Sequence, residues 1–295
     1  MGLKKILLLV CFLSLVPGLS ACTCFAVYTN QPIYGMNFDY PPVDIRFTLT
    51  PAGGMRVFQM EFLLQGRYAS TVGMNSRGLF GSCQMRYPIG TPAAAGDDEI
   101  YTWQLFDHAL HHFTSLDQVT ALLSQKRLVH SRTSLHDCFA DPIDALVVEP
   151  GTEGNAITRK QGDYLVMTNF PLKDFSGKNP DQMTGVGADR YRAACRHIEV
   201  HLKDFTVDQA FTTLEKAQSK GRWPTLASMV FLPYQGIVYI ALNSDFSHIW
   251  RVSLPDGILA THAGFSLQRE MPLDASGIHA ACLAAMNSRN NPADK

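Results

Sequence analysis

Several signatures that would assign a function at once are missing from this sequence of 295 residues. It has no glycine-rich phosphate-binding loop and no Gly-x-Ser-x-Gly nucleophile elbow. Its lysines and arginines form no basic stripe, which argues against a nucleic-acid partner. Beyond residue 21 no segment approaches about 18 consecutive apolar residues, so we expect no membrane span. An internal repeat and a low-complexity linker are also missing, which favours a single domain.

The first 21 residues have the layout of a secretory signal peptide. A short basic start, MGLKK, precedes the apolar run ILLLVCFLSLV, and the segment ends in the small residues of PGLSA. We therefore assign residues 1–21 to a leader and residues 22–295 to one domain, with a polar tail over about 286–295. The expected location is secreted, periplasmic or at the cell surface.

Removing the leader changes the charge and the cysteine count. Lys4 and Lys5 leave without any acidic residue, so 23 basic side chains face 26 acidic ones and the net charge becomes −3. The cysteines that remain are Cys22, Cys24, Cys83, Cys138, Cys195 and Cys282. Their spacings are wide and the chain is long enough to bury a core, so we predict no disulfide pairing.

The hydrophobic pattern alternates between groups of strands and pairs of helices. The predicted strands are 22–29, 33–40, 55–65, 68–87, 144–150, 155–160, 163–169, 228–233, 237–243 and 248–254, and the predicted helices are 97–113, 115–127, 188–202 and 206–220. This order favours an α+β fold with helices packed outside antiparallel sheets, rather than alternating βαβ units.

The stretch after the leader begins with a cysteine, Cys22. A cysteine made N-terminal by cleavage carries a nucleophile and a base in one residue, because its α-amine has a pKa of about 7.7–8.0. Its thiol, with a pKa of about 8.5, is shifted toward thiolate by neighbouring positive charge. Such a residue still needs an oxyanion stabiliser and groups that hold the amine.

The segment CTCFAV followed by YGMNFDYP resembles the N-terminal hairpin of the choloylglycine hydrolase family. These cysteine Ntn-hydrolases act on linear amides and include bile salt hydrolases, penicillin V acylases and the related acid ceramidase and N-acylethanolamine amidase. GMNSRGL, VMTNFP, GADRYRAA and ASMVFLPYQGIVYIALN resemble further family segments in the same order. The likeness runs from Cys22 to about Leu254 and implies a four-layer αββα sandwich of two antiparallel sheets with outer helices.

Carried over residue by residue, the resemblance implies a catalytic set. Cys22 matches the nucleophile, Asp39 the acid that hydrogen-bonds it, Asn169 the side chain of the oxyanion hole, and Arg190 an arginine near the nucleophile. The implied reaction cleaves a linear, non-peptide amide C–N bond of a small-molecule N-acyl amide or conjugated bile acid through a Cys22 thioester. It needs no metal and no organic cofactor. Transfer of the acyl group to another amine stays an alternative, and so does a homo-oligomer.

The sequence departs from the family pattern at two places. The family has an arginine after the glycine of its hairpin motif, whereas this chain has Met36. Arg46 or Arg190 is expected to supply part of the positive charge that is missing beside the nucleophile. The bile salt and penicillin branches also carry an asparagine after the GMNSRGL turn, where this chain has Gln84 and Met85.

A different function for Cys22 stays open at this point. LSAC also satisfies a bacterial lipobox, in which the cysteine is lipidated and becomes a membrane anchor. A lipidated Cys22 has no free thiol, so the alternative is a surface protein that keeps the fold without catalysis. Cys24 is interpreted as a small buried hydrophobic residue.

Other candidate groups point less clearly to a function. Three histidines lie on one predicted helix at His108, His111 and His112, but the third ligand and general-base Glu of a zinc motif are missing, so metal binding is disfavoured. His130 and His136 fall in a stretch that looks like a loop. The apolar clusters FLLQ and YTWQLF are candidates for an acyl pocket, although core packing is the favoured interpretation of both.

Overall fold

The computed structural model describes residues 22–175 and 177–288 of the chain. The predicted leader and most of the predicted polar tail therefore lie outside the described residues. Within them, no helix is both long enough and apolar enough to cross a membrane.

Strands dominate the described chain. They are β1 (Thr23–Tyr28), β2 (Pro32–Asp39), β3 (Ile45–Ala52), β4 (Met55–Leu64), β5 (Arg67–Asn75), β6 (Phe80–Met85), β7 (Glu99–Tyr101), β8 (Arg127–Val129), β9 (Leu135–Ala140), β10 (Ala145–Pro150), β11 (Asn155–Arg159), β12 (Tyr164–Met167), β13 (Thr225–Leu232), β14 (Ile237–Leu242), β15 (Asp245–Ser253), β16 (Ile258–Ala263), β17 (Glu270–Pro272) and β18 (Ile278–His279). The α-helices are α1 (Thr102–His112), α2 (Leu116–Leu123), α3 (Ala188–His201), α4 (Val207–Lys216) and α5 (Ala280–Ser288).

Two large antiparallel sheets form the centre of the molecule. The first sheet has the strand order β12-β1-β2-β13-β14-β15-β16-β17, and the second has the order β11-β10-β9-β6-β5-β4-β3-β18. The sheets face each other across an aromatic core, in which the rings of Phe80 and Phe231 lie 4.9 Å apart. Strands β2 and β13 are buried along their whole length, as expected where both faces of a sheet are covered.

Helices cover the outer faces of both sheets. Helix α4 packs on β2 and β13 and helix α3 on β1 and β12, whereas α1 packs on β5, β6 and β9. The predicted α+β class and the four-layer αββα architecture are thus confirmed. Because the apolar stripe of each helix is covered by a sheet, the fold buries two hydrophobic clusters, one between the sheets and under α3 and α4, the other under α1 and α2.

The boundaries around α1 and α2 differ from the prediction. A helix over 97–113 was expected, but Glu99–Tyr101 forms β7, which pairs in parallel with β8, and the helix begins at Thr102. The helix expected over 115–127 ends at Leu123 for the same reason, since Arg127 already belongs to β8. Backbone pairing between two segments far apart in sequence therefore shortens both helices.

Candidate active site

The β1–β2 hairpin brings Cys22 and Asp39 to the same end of the first sheet. Its antiparallel register pairs Thr23 with Asn37, so Cys22 precedes β1 where Asp39 completes β2. A glycine is required at position 35, because a Cβ there would lie 2.2 Å from Cζ of the Phe25 ring. The motif glycine thus lets an aromatic ring pack directly on the strand that carries the acid.

Asn169 and Arg190 meet Cys22 from outside the hairpin. The backbone nitrogen of Cys22 donates to Oδ1 of Asn169 at 3.0 Å, and Nη2 of Arg190 donates to the same oxygen at 2.7 Å. Nη1 of Arg190 donates to the carbonyl oxygen of Cys22 at 2.6 Å. All three residues are buried. The structure therefore brings together residues that are 168 positions apart in the sequence.

Arg190 is a buried ion-pair partner rather than a solvated helix residue. Its guanidinium donates to Oγ1 of Thr23 at 2.8 Å and lies 3.5 Å from the Asp39 carboxylate. It is placed by the first turn of α3, which follows Gly187 in a left-handed conformation with φ of 82°. One cation thus contacts the nucleophile residue, its neighbour and the acid.

Burial dominates the electrostatics of the Cys22 thiol. Its sulfur lies 4.0 Å from the backbone carbonyl of Asp39. Burial, followed by the negative charge of Asp39, raises the pKa of the Cys22 thiol to about 12, while the contact with the Asp39 backbone and the charge of Arg190 oppose this rise. The thiol is therefore protonated at neutral pH in these surroundings.

Asp39 is also shifted by burial. One carboxylate oxygen accepts a hydrogen bond from Oγ1 of Thr225 at 2.5 Å. Burial raises the pKa of Asp39 to about 7, and the Arg190 charge and the Thr225 hydrogen bond hold it below the value that burial alone would give. Asp39 therefore titrates close to physiological pH.

A second layer of contacts fixes Asn169. Its Nδ2 donates to the carbonyl oxygen of Met85 at 2.8 Å, and its own carbonyl accepts from the backbone N–H of Tyr87 at 2.6 Å. The preceding residue, Thr168, accepts from Nε2 of His136 at 2.7 Å. An amide NH₂ has two donors, so Asn169 keeps one N–H beyond the bond to Met85.

His136 and Glu149 form a buried side-chain pair that the sequence did not reveal. The interpretation of His136 as a loop residue is wrong, because it lies in β9 with its side chain fully buried. Its Nδ1 is 3.3 Å from the carboxylate of Glu149, whose other oxygen accepts the backbone N–H of Lys173. The alternation of apolar residues in SLHDCFA was the available signal, but the His-Asp pair in its middle hides it.

The two departures from the family pattern have clear structural positions. Met36 is fully buried in the core and lies between Cys24 and Met229 in the strand register. Arg46 is bound to Glu61 at 2.5 Å, whereas Arg190 is the arginine whose charge lowers the Cys22 pKa.

Gln84 and Met85, which stand where the family has an asparagine, form hydrogen bonds with different partners. Nε2 of Gln84 donates to Oγ of Ser82 at 2.9 Å, while Met85 offers its carbonyl to Asn169. Cys24 is buried as predicted, and burial followed by the neighbouring Cys138 thiol raises its pKa, while Ser82 and Gln84 oppose this rise, so polar groups lie beside its sulfur.

The remaining candidates are the two apolar clusters and the histidines of α1, and they differ in how far they are buried. Within YTWQLF, Leu105 and Phe106 are buried under α1, which is core packing, whereas Trp103 is about half exposed. Within FLLQ, the Phe62 ring lies 5.1 Å from that of Tyr40, next to the site. The His108 and His112 rings lie 4.5 Å apart, and among the described residues no three His, Cys, Asp or Glu side chains are grouped so as to hold a metal.

Comparison with known proteins supports the fold. The chain is similar to a variant of conjugated bile acid hydrolase from Clostridium perfringens, with 15% identity, a TM-score of 0.61, and coverage of 86% of this chain and 98% of that one. It is similar to penicillin V acylase from Agrobacterium tumefaciens, with 14% identity, a TM-score of 0.64, and coverage of 86% and 96%. It is also similar to the N-acylethanolamine-hydrolyzing acid amidase ortholog of Caenorhabditis elegans, with 16% identity, a TM-score of 0.51, and coverage of 72% of this chain and 93% of that one.

The chain has the fold of these amide hydrolases. The resemblance drawn from the hairpin and its later segments is confirmed at this level. No protein-family model matches the chain, and no curated protein matches it.

Proposed function

We propose that this protein is an exported cysteine Ntn-hydrolase that cleaves a linear, non-peptide amide C–N bond, with Cys22 as its nucleophile. The observation that carries the proposal is the convergence of Asn169, Arg190 and Asp39 on Cys22, which directly precedes the first strand of this fold. A small-molecule N-acyl amide is the proposed substrate, and no cofactor enters the reaction.

Removal of residues 1–21 supplies the base that the site needs. While the peptide bond before Cys22 is intact, its nitrogen is an amide and cannot accept a proton, and the thiol has a pKa of about 12. Cleavage turns that nitrogen into an α-amine with an ordinary pKa of about 7.7–8.0. The Asn169 oxygen, 3.0 Å away, is placed to accept a hydrogen bond from this amine and to orient it.

The reaction then follows from the positions of the groups. The α-amine takes the thiol proton, the sulfur attacks the amide carbon, and the carbonyl oxygen becomes an oxyanion. The second Nδ2–H of Asn169 and a backbone N–H stabilise this oxyanion. The α-ammonium returns the proton to the leaving amine as the C–N bond breaks. Water, activated by the α-amine, hydrolyses the thioester and releases the carboxylic acid.

Asp39 and Arg190 act on the geometry and the field of Cys22. The Asp39 backbone carbonyl lies 4.0 Å from the sulfur, and the Arg190 guanidinium bonds to the carbonyl of Cys22. Because Arg190 lowers the pKa of both the thiol and Asp39, it favours the ionised form of each.

Two variants test the proposal. Cys22→Ser should lower kcat/KM toward N-acyl amides by about 1,000-fold or more, as loss of a covalent nucleophile does. Cys24→Ser is the matched control, because Cys24 lies two residues along the same hairpin and should retain most of the activity. Unchanged turnover in Cys22→Ser would remove this residue from the mechanism.

Intact mass and N-terminal sequencing of the exported protein complete the test. A free chain that begins Cys22-Thr23-Cys24 agrees with the proposal. A mass raised by acyl chains, with a blocked first residue, contradicts it and identifies Cys22 as a lipid anchor. Release of free carboxylic acid, rather than a new amide in the presence of added amine, separates hydrolysis from acyl transfer.

A further inference from the structure

The segment that carries Asn169 follows a strand of the first sheet but is held by the second sheet. It comes after β12, an edge strand, and continues into a short 3-10 helix, Leu172–Phe175. Asn169 bonds to the chain at the end of β6, through its Nδ2 to the carbonyl of Met85 and through its own carbonyl to the N–H of Tyr87. Both partners flank the buried Arg86. The position of Asn169 therefore depends on the second sheet.

His136 and Glu149 hold the same segment at two further points, one before Asn169 and one after it. Nε2 of His136 donates to the carbonyl of Thr168 at 2.7 Å. The carboxyl group of Glu149 accepts the N–H of Lys173 at 2.8 Å. Its other oxygen lies 3.3 Å from Nδ1 of His136. The pair therefore connects the two ends of the segment to each other and to the second sheet.

The pair is itself fixed in the interior. Both side chains are fully buried, and they come from neighbouring strands, His136 from β9 and Glu149 from β10. The antiparallel register of these strands, with Asp137 opposite Val148, places the two residues opposite each other. A carbonyl oxygen only accepts, so Nε2 of His136 carries the hydrogen that it donates, and Nδ1 is left for Glu149. Both the position and the orientation of the ring are thus defined before any ligand binds.

We infer that His136 and Glu149 are positioning residues that set the distance between the Asn169 amide and the Cys22 sulfur. This inference rests on the proposed amide hydrolysis at Cys22 and names the residues that keep its oxyanion hole in the geometry of the transition state. An oxyanion donor has to lie about 2.7–3.1 Å from the developing charge. A misplacement of about 1 Å can cost about 100-fold in rate.

The two sides of Asn169 have different partners, which makes the geometry sensitive to this pair. Its Oδ1 accepts from the Cys22 nitrogen at 3.0 Å on the first-sheet side. Its backbone is bound on the second-sheet side, directly to Tyr87 and through Thr168 to His136. If the second-sheet side loosens, the amide can turn away from the substrate carbonyl oxygen while the nucleophile keeps its place. The chemical step then slows without a matching loss of substrate binding.

Two substitutions of His136 separate its two contacts. Glutamine places its amide nitrogen near the position of Nε2 and can still donate to the Thr168 carbonyl. Asparagine is shorter, so its amide nitrogen lies near the position of Nδ1, where it can bond to Glu149 but cannot reach Thr168. With decanoyl-4-nitroanilide as substrate, His136→Asn should lower kcat by about 100-fold and change KM by less than about threefold. His136→Gln should keep kcat within about tenfold of the wild-type value.

His197→Gln and His197→Asn are the matched controls. His197 is also a buried histidine, but its Nδ1 bonds to Oγ1 of Thr213 at 2.9 Å rather than to residues 168–173. Both control variants should lower the free energy of unfolding in urea and keep the wild-type kcat. An equal loss of kcat in His136→Gln and His136→Asn overturns the inference. So does a loss of kcat that follows the loss of stability in all four variants, because the pair would then only stabilise the fold.

Glu149→Asp decides where neither His136 variant folds. It keeps the carboxyl group but draws it back from the Lys173 N–H, which it accepts in the wild-type protein. We expect kcat to fall by about tenfold with KM nearly unchanged. An unchanged kcat, or a rise in KM alone, overturns the inference.

Amide hydrogen exchange measured by NMR tests the positioning without turnover. The Tyr87 N–H donates to the Asn169 carbonyl at 2.6 Å and therefore reports whether the segment is held. In His136→Asn it should exchange about tenfold or more faster than in the wild-type protein, and in His136→Gln it should keep its protection. This result supports the inference even if the wild-type protein cleaves no amide. Equal exchange in both variants overturns it, whatever the outcome for Cys22→Ser.

Discussion

Replacing Thr225 by valine should change how Asp39 titrates. The substitution keeps the shape of the side chain but removes the hydroxyl that donates to the Asp39 carboxylate at 2.5 Å. That bond stabilises the ionised acid, so its loss raises the pKa of Asp39 above its present value of about 7. A hydrogen bond to a charged group contributes about 1.5–3 kcal/mol, which corresponds to a rise of about one to two pH units.

The change is measurable without a substrate, through the free energy of unfolding in urea. A carboxyl group whose pKa rises from 3.8 to about 7 on folding keeps its proton up to a higher pH in the folded protein than in the unfolded chain. Its contribution to stability is therefore complete below pH 3.8 and is lost as the pH rises through 7, by about 4 kcal/mol in total. In Thr225→Val this loss should continue for about one to two further pH units.

Thr225→Ser is the matched control, since it keeps the hydroxyl and also the acceptor for the Ser219 N–H. Loss of that second bond in Thr225→Val lowers stability equally at every pH. At pH 5 the free energies of unfolding of the valine and serine variants should therefore differ only by this pH-independent amount. Their difference should then grow by about 1.5–3 kcal/mol by pH 9. A difference that stays constant from pH 5 to pH 9 would refute the proposed link between Thr225 and Asp39.

Two further predictions concern the supports of the site. Glu149→Gln breaks the buried pair with His136 and should destabilise the protein by about 3–5 kcal/mol in urea unfolding; a loss below about 1 kcal/mol would mean that the contact is not between two charged groups. Gly35→Ala places a Cβ 2.2 Å from the Phe25 ring and should cost about 1–3 kcal/mol, seen as a lower Tm. Gly154→Ala, whose Cβ would meet nothing within 4 Å, is its control and should leave Tm almost unchanged.

The sequence predicted those features that are encoded locally. The hairpin was visible because the turn residues NQP separate two apolar runs, and the observed strands β1 and β2 differ from the predicted ranges by about one residue at each end. Helices α3 and α4 were visible from their apolar spacing and from the Thr206 cap of α4, whose hydroxyl accepts the Gln209 N–H. Asp39, Asn169 and Arg190 were found only through the family resemblance.

The missed residues depend on pairings between distant strands. His136 and Glu149 face each other because β9 and β10 pair antiparallel with Asp137 opposite Val148, a register that no local pattern specifies. Arg86 looks like an ordinary surface arginine in the sequence, and only the β6–β9 pairing and the packing of His130 bury it. Charged residues on such strands interrupt the apolar pattern by which a strand is recognised.

The charges around Cys22 explain why the proposed cleavage of the leader would switch the enzyme on. Met36 is an uncharged, buried residue at the position where the family has an arginine. The positive charge of Arg190 is paired with the carboxylate of Asp39, 3.5 Å away. Burial then keeps the thiol protonated, with a pKa of about 12. Once the neutral α-amine of Cys22 has taken the thiol proton, the ammonium that it forms is a positive charge on the nucleophile residue itself and stabilises the thiolate. In this fold the missing arginine is therefore compatible with catalysis, provided that the chain begins at Cys22.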